Sequence, residues 1–132
     1  MEGIFKTIVN GVKNALLNPK KSKRMMEATV MWQKAKVEAE ELRKQDGHRY
    51  FVIYDAQQKK LICITYDIYR GRSDSYQYLR QRGAFKRPLR REELKALCFY
   101  YTTSKWTSNS CTEKEQQEKL VEWQRYYLRL NP

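Results

Sequence analysis

The chain has 132 residues, 41% of them apolar, with ten Tyr, four Phe and three Trp available to fill a core. That length fits one domain, and the aromatic content excludes the low-hydrophobicity composition of a disordered chain. Twenty-seven basic residues against fifteen acidic ones leave a formal net charge of +12, an imbalance that favours an anionic partner: nucleic acid, an anionic membrane or an acidic protein surface.

In chain order, Ile4, Ile8, Val12 and Leu16 fall on one face at helical spacing, joined by Phe5, Val9 and Ala15. Residues 4–17 therefore read as a short amphipathic helix, stopped by Asn18-Pro19. Lys6, Asn10, Lys13 and Asn14 interrupt its apolar run, which argues against a signal peptide, and no other run reaches the length of a membrane span. Its apolar face with two lysines could lie on a membrane surface, but so short a helix is better read as packing on the domain or on a partner subunit. Lys20-Lys21-Ser22-Lys23-Arg24 is a basic joint, either a linker or the exposed start of the next helix, with Ser22 as its expected N-cap.

Residues 23–46 carry the strongest helical pattern, a narrow stripe of Ala28, Met31, Ala35, Ala39 and Leu42 with Trp32 on its flank. Lys36 and Glu40 are spaced for an ion pair one turn apart, and Gly47 is placed to close the helix in the left-handed conformation. The period then changes. Arg49–Tyr54 and Leu61–Tyr66 are rich in β-branched and aromatic residues and flank a polar stretch from Asp55 to Lys60, the pattern of a β-hairpin. The continuous apolar runs predict that at least one strand is covered on both faces. A short helix from Ser73 or Asp74 to Arg82 follows, with Tyr78 and Leu79 as apolar contacts and Gly83 at its end. Another opens after Pro88, with Leu89, Leu94 and Leu97 at its apolar positions. Cys98–Thr102 is either a short strand or the end of that helix, the strand being favoured. A polar loop around Trp106 leads to Thr112 and Glu115, a capping box for a last helix whose Leu120, Trp123, Tyr127 and Leu130 share a face.

The expectation is an α+β fold: two N-terminal helices, a β-hairpin with room for a third short strand, short helices and a C-terminal helix. The chain divides into an N-terminal helix and basic joint over residues 1–22 and a single α+β domain over residues 23–132.

Catalytic chemistry finds little to work with. His48 is the one histidine, which removes most acid–base and triad mechanisms; it reads as a turn residue. Cys63, Cys98 and Cys111 form neither a disulfide framework nor the short ligand pairs of a zinc site, and Cys63 and Cys98 read as small core residues in a reducing compartment. The five glycines are scattered, with no phosphate-binding loop. Glu93-Leu94-Lys95 could belong to a metal-dependent nuclease only if Glu and Lys shared one side of a strand, and this stretch reads as helix. No enzyme, no cofactor and no metal is expected.

The binding signal is sharper. Arg70, Arg72, Arg80, Arg82, Lys86, Arg87, Arg90, Arg91 and Lys95 lie within one tract opposed only by Asp74, Glu92 and Glu93. Most of these charges must be exposed, and arginine suits bidentate contact with phosphate or carboxylate. Tyr66, Tyr69, Tyr76, Tyr78 and Phe85 are interleaved with them, so the tract is expected to meet DNA phosphates or an acidic protein surface without reading base sequence. Ile4, Phe5, Ile8, Val12, Leu16, Met31 and Trp32 are the expected subunit contacts.

Two stretches, Asp46-Gly47-His48-Arg49-Tyr50-Phe51-Val52-Ile53 leading into the hairpin and Tyr78-Leu79-Arg80-Gln81-Arg82-Gly83-Ala84-Phe85 after it, are followed by Leu94-Lys95-Ala96-Leu97-Cys98-Phe99-Tyr100-Tyr101-Thr102. This succession, over about residues 28–102, resembles small proteins of tailed phages that infect gut Bacteroidales, the crAss-like group among them. The resemblance brings no catalytic residues with it. It implies a non-enzymatic virion component, associated with capsid, portal or tail, that binds other virion subunits in a multi-subunit assembly and also packaged DNA. Such a protein would reside in the virion, and in the host cytoplasm during assembly. A nonspecific nucleic-acid-binding accessory protein made in the infected cell is the alternative.

Overall fold

A proline opens the first helix. A computed structural model describes residues 19–56, 58–66 and 90–132, and helix α1 runs from Pro19 to Asp46. Proline suits the first helical position because its missing N–H is one that a helix start leaves unpaired anyway. The tract from Lys20 to Arg24 is thus the exposed start of α1 and not a linker, and Ser22 lies inside the helix and does not cap it. The expected division between residues 22 and 23 falls within one continuous helix. The helix expected at 4–17 and the one expected from Ser73 to Arg82 lie outside the described residues.

Helix α1 buries Ala28, Thr29, Trp32, Ala35 and Ala39, with Met31 and Leu42 partly buried beside them. Trp32 is therefore the centre of the packed face and not its flank. It closes at Gly47, whose φ of 75° is the left-handed conformation and whose N–H reaches Arg43 O at 2.7 Å. The Lys36–Glu40 pair does not form: Lys36 donates to Gln116 at 2.8 Å and lies over the Trp32 and Tyr100 rings. Glu40 instead takes the Tyr100 hydroxyl at 2.6 Å and pairs with Arg43.

Strands β1 (Tyr50–Asp55) and β2 (Lys60–Thr65) form the hairpin, paired from Tyr50↔Thr65 to Asp55↔Lys60. The connecting turn is tighter than the polar stretch predicts, because Asp55 is fully buried and its carboxylate accepts from the Gln58 backbone and side chain at 3.3 and 3.0 Å. Helix α2 (Arg91–Leu97) leads to the two-residue strand β3 (Tyr100–Tyr101), and helix α3 (Glu113–Leu130) follows. Among the described residues the fold is thus α+β, with three helices and an antiparallel sheet of order β2-β1-β3. The favoured strand reading of 98–102 holds for its centre. Thr102 extends the pairing with its side chain, accepting from Tyr50 N at 2.9 Å.

The central strand β1 is buried almost throughout, as its unbroken apolar run requires. Alternation and register put Tyr50, Val52, Tyr54, Cys63 and Tyr100 on one face of the sheet. That face meets α1 and α3. Tyr50 Oη donates to Asp46, Cys63 Sγ lies 3.5 Å from Ala35 O, and Tyr54 stacks near Trp123 with centroids 5.6 Å apart. Two indoles tie the layers together: Trp32 Nε1 donates to Phe99 O at 2.9 Å, and Trp123 Nε1 to Ala28 O at 2.8 Å. Helix α3 starts at the predicted cap, with Thr112 Oγ1 accepting from Glu115 N at 3.1 Å and donating to the Glu115 carboxylate at 3.3 Å. Its far end departs from the pattern, since Leu130 is exposed, and so does Leu97 at the end of α2.

Trp123 is 0% exposed and Leu97 58%, so their substitutions separate. Trp123→Ala should cost about 3–5 kcal/mol, a large share of a domain's stability. Leu97→Ser should stay within about 0.5 kcal/mol. Urea denaturation followed by far-ultraviolet circular dichroism measures both.

Candidate functional site

Of the nine basic residues singled out in the sequence, Arg70, Arg72, Arg80, Arg82, Lys86 and Arg87 lie outside the described residues. The other three, Arg90, Arg91 and Lys95, are carried by the start and middle of α2. They do not act as one row. Arg90 folds back on Glu93, 3.3 Å away, Lys95 lies over the Tyr101 ring at 5.1 Å, and Arg91 lies over the Tyr66 ring at 4.9 Å. Of the expected subunit contacts, Ile4, Phe5, Ile8, Val12 and Leu16 are outside the described residues. Trp32 is 1% exposed, so its ring is covered by its own chain and has almost no surface for another subunit; Met31 is half-buried against the core.

Helix α2 is held by a lysine from another element. Lys119 of α3 donates to Lys95 O at 2.9 Å, Ala96 O at 3.2 Å and Cys98 O at 2.7 Å. These are carbonyls at the end of α2, where a cation complements the helix dipole. The same lysine fixes the position of Arg91 one helix length away.

Arg91 faces a cleft of about 450 Å³, lined also by His48, Arg49, Phe51, Thr65, Tyr66, Ser104, Trp106 and Thr107. The cleft lies where β1 begins and β2 ends: Arg49 precedes β1, Tyr66 follows β2, and Phe51 alternates to the sheet face opposite Tyr50 and Val52. Arg49 is clamped there: Nε donates to Thr102 O at 2.8 Å, the guanidinium donates again to Asn109 O, and its carbon lies 5.4 Å from the Tyr101 ring centroid. A guanidinium has five N–H donors, so this clamp leaves others for a ligand. Partial burial holds Arg49 below its ordinary pKa, and Arg91 pulls the same way, yet an arginine stays charged. Neither Arg49 nor Arg91 forms an ion pair with a carboxylate among the described residues. Two like charges are thus held at one cleft, and among the described residues that line it there is no acidic side chain.

The rim is a tight turn. Ser104 and Thr107 pair across it, Ser104 Oγ accepts from Trp106 N at 3.2 Å, and Lys105 N reaches Gly47 O at 2.9 Å. Gly47 is needed twice over, since a Cβ there would also come within 2.8 Å of the Lys105 side chain. Trp106 stands out at the tip, 67% exposed, with Lys105 Nζ 4.5 Å from its ring centroid and the His48 ring 5.3 Å away.

The reading of His48 as a turn residue at the strand start holds, and the structure adds its place in the cleft. Sequence reasoning missed Arg49, Lys105 and Trp106 as site residues, because 53 positions separate Arg49 from the Thr102 carbonyl that orients it. An available signal was the pairing of a lysine with a tryptophan in an otherwise polar loop.

The thiols offer no second site. Cys98 and Cys111 are buried, Cys63 is partly buried, and all are free. Burial is the main cause that pushes Cys63 and Cys98 up to about 12 and Cys111 up to about 11, so none is a thiolate nucleophile near neutrality. Glu93, the carboxylate of the nuclease alternative, accepts from Arg90 N at 3.2 Å at the start of its own helix. Among the described residues no group of three or more His, Cys, Asp or Glu could hold a metal ion, and no helix is long and apolar enough to cross a membrane. In comparisons with known proteins, no family model, curated protein or solved structure matches this chain.

The raised values carry a sign. An unfolded thiol ionises near about 8.5 and an unfolded tyrosine near about 10, while in the fold Tyr50 is pushed up to about 12 by burial and by Asp46. The protonated thiols and phenols favour the folded state, so stability is full below about pH 8.5 and is lost as pH rises towards about 12. The urea midpoint should therefore fall between about pH 8 and about pH 11; a midpoint that stays level over that range contradicts this account.

Proposed function

We propose that the protein is a non-enzymatic nucleic-acid-binding protein that grips phosphates without reading base sequence. The observation that carries this reading is the pair Arg49 and Arg91, held at one cleft with no carboxylate pairing with either among the described residues. Holding like charges together in this way is unfavourable for the isolated chain and is offset when an anion arrives. Their origin supports the same reading: Arg49 is oriented by backbone carbonyls and Arg91 by the Tyr66 ring, so both forks are arranged in advance of binding. The cleft carries backbone-positioning chemistry, and among the described residues that line it there is no Asn or Gln of the kind that reads base edges.

A second reading, a virion subunit of a tailed phage, draws on the outer side of α1. Val30 and Val37 are exposed there together with Met26, opposite the buried alanines, so α1 has apolar side chains on both sides. Such a face could pack on a neighbouring subunit, and the protein would then be found in purified particles by mass spectrometry. Its absence from them removes that second reading and leaves the first intact.

The phosphate reading makes a quantitative demand. Binding to a mixed-sequence oligonucleotide should weaken steeply with salt, and Arg91→Ala should reduce the slope of log K against log salt by about 0.7–0.9. Fluorescence anisotropy over a salt series measures the slope. Salt-insensitive binding, or none, overturns the proposal.

A further inference from the structure

Resting on that reading, we infer that the cleft takes an unpaired nucleobase, stacked on Trp106, with its flanking phosphates on Arg49 and Arg91, so that the protein selects single-stranded over duplex nucleic acid. The inference starts from an indole in an unexpected place. Trp32 and Trp123 are 1% and 0% exposed, whereas Trp106 is 67% exposed. A large apolar ring left in water forgoes the stabilisation that burial would provide. Nor is it on a slack loop. The Ser104↔Thr107 pairing, the Ser104 Oγ contact and the Lys105 bond to Gly47 fix the turn at its base and at its tip. Binding a flat partner there orders little that is not already ordered.

The neighbours of the ring define what that partner is. Lys105 and His48 stand beside it, and Arg49 and Arg91 line the same cleft. An aromatic platform with a lysine against it and two arginines in the same cleft is complementary to a flat ring joined to phosphates, since every base offers a π-face and every nucleotide an anion. The bases of a duplex already have both faces stacked on neighbours, so the indole can reach only an unpaired one. A cleft of about 450 Å³ is also within the usual size for a single small ligand.

The tryptophans themselves provide the test. Because Trp32 and Trp123 are buried, stacking at the cleft should quench the Trp106 emission and leave the other two as reporters of the fold. The full-length protein is titrated, at one low ionic strength, with a single-stranded oligothymidylate of about ten nucleotides and with a duplex of equal length. The single strand should bind more tightly and quench. In Trp106→Ala the quenching should vanish and single-strand affinity should fall roughly 5- to 100-fold, bringing the two affinities together. Unchanged emission from the remaining tryptophans confirms that the variant is folded. Equal binding of both forms, unaffected by Trp106→Ala, overturns the stacking inference and leaves phosphate binding standing. Binding of neither form overturns both.

Discussion

Ala28, Ala35 and Ala39 give α1 a packed face that carries only methyl groups on either side of Trp32, and the rest of the fold is built on that close approach. Across Ala28 the Trp123 indole of α3 comes near enough to bond the backbone carbonyl directly, and beside it Gln124 bonds Thr29 at 3.1 Å. Cys63 of β2 approaches Ala35 in the same way. Trp32, between them, reaches past the helix to the carbonyl of Phe99. A larger side chain at any of the three alanines would hold α3 or the sheet away from α1, and the indole bonds would be lost with the contact. Once α3 is seated, Lys119 is in position to bind the end of α2, and Arg91 follows from that.

The acidic residues explain the exposed charge. Tyr100 donates to Glu40, Tyr101 to Glu115 at 2.5 Å and Tyr127 to Glu27 at 2.7 Å, and Tyr50 donates to Asp46. These phenols hold the carboxyls of Glu27, Asp46 and Glu115 below their ordinary values, a mark of ionised groups satisfied by neutral donors. Glu27 and Glu40 also pair with Arg24 and Arg43 of their own helix, and none of the four carboxylates pairs with Arg49 or Arg91. Tyrosine, abundant in the chain, thus does two jobs: it fills the core and it satisfies these carboxylates.

Legibility followed the range of the interactions. The close of α1, the start of α3, the two hairpin strands and the doubly covered β1 depend on neighbours a few residues away or on the period of apolar side chains, and Gly47, Thr112 and Glu115 announce the helix ends plainly. Ser22 misled because α1 already opens at Pro19, three residues before it. Lys36 misled because local spacing favoured Glu40, while Gln116, 80 positions on, and two aromatic rings offered a better place. Of the described residues of the basic tract, Arg91 lines the cleft, and its companions Arg49 and Trp106 came from segments that nothing in their sequence spacing connects.

The sequence by itself determined that this is an α+β chain with a large basic excess, with a long alanine-striped helix and a capped final helix, because composition and periodicity are local quantities. Only the tertiary structure decided which cations stand together. The Thr102 carbonyl oriented Arg49, Lys119 anchored the helix that carries Arg91, and the Lys105–Gly47 contact brought Trp106 to the same cleft. Each of these is a contact between distant segments, and it exists only after the chain has folded.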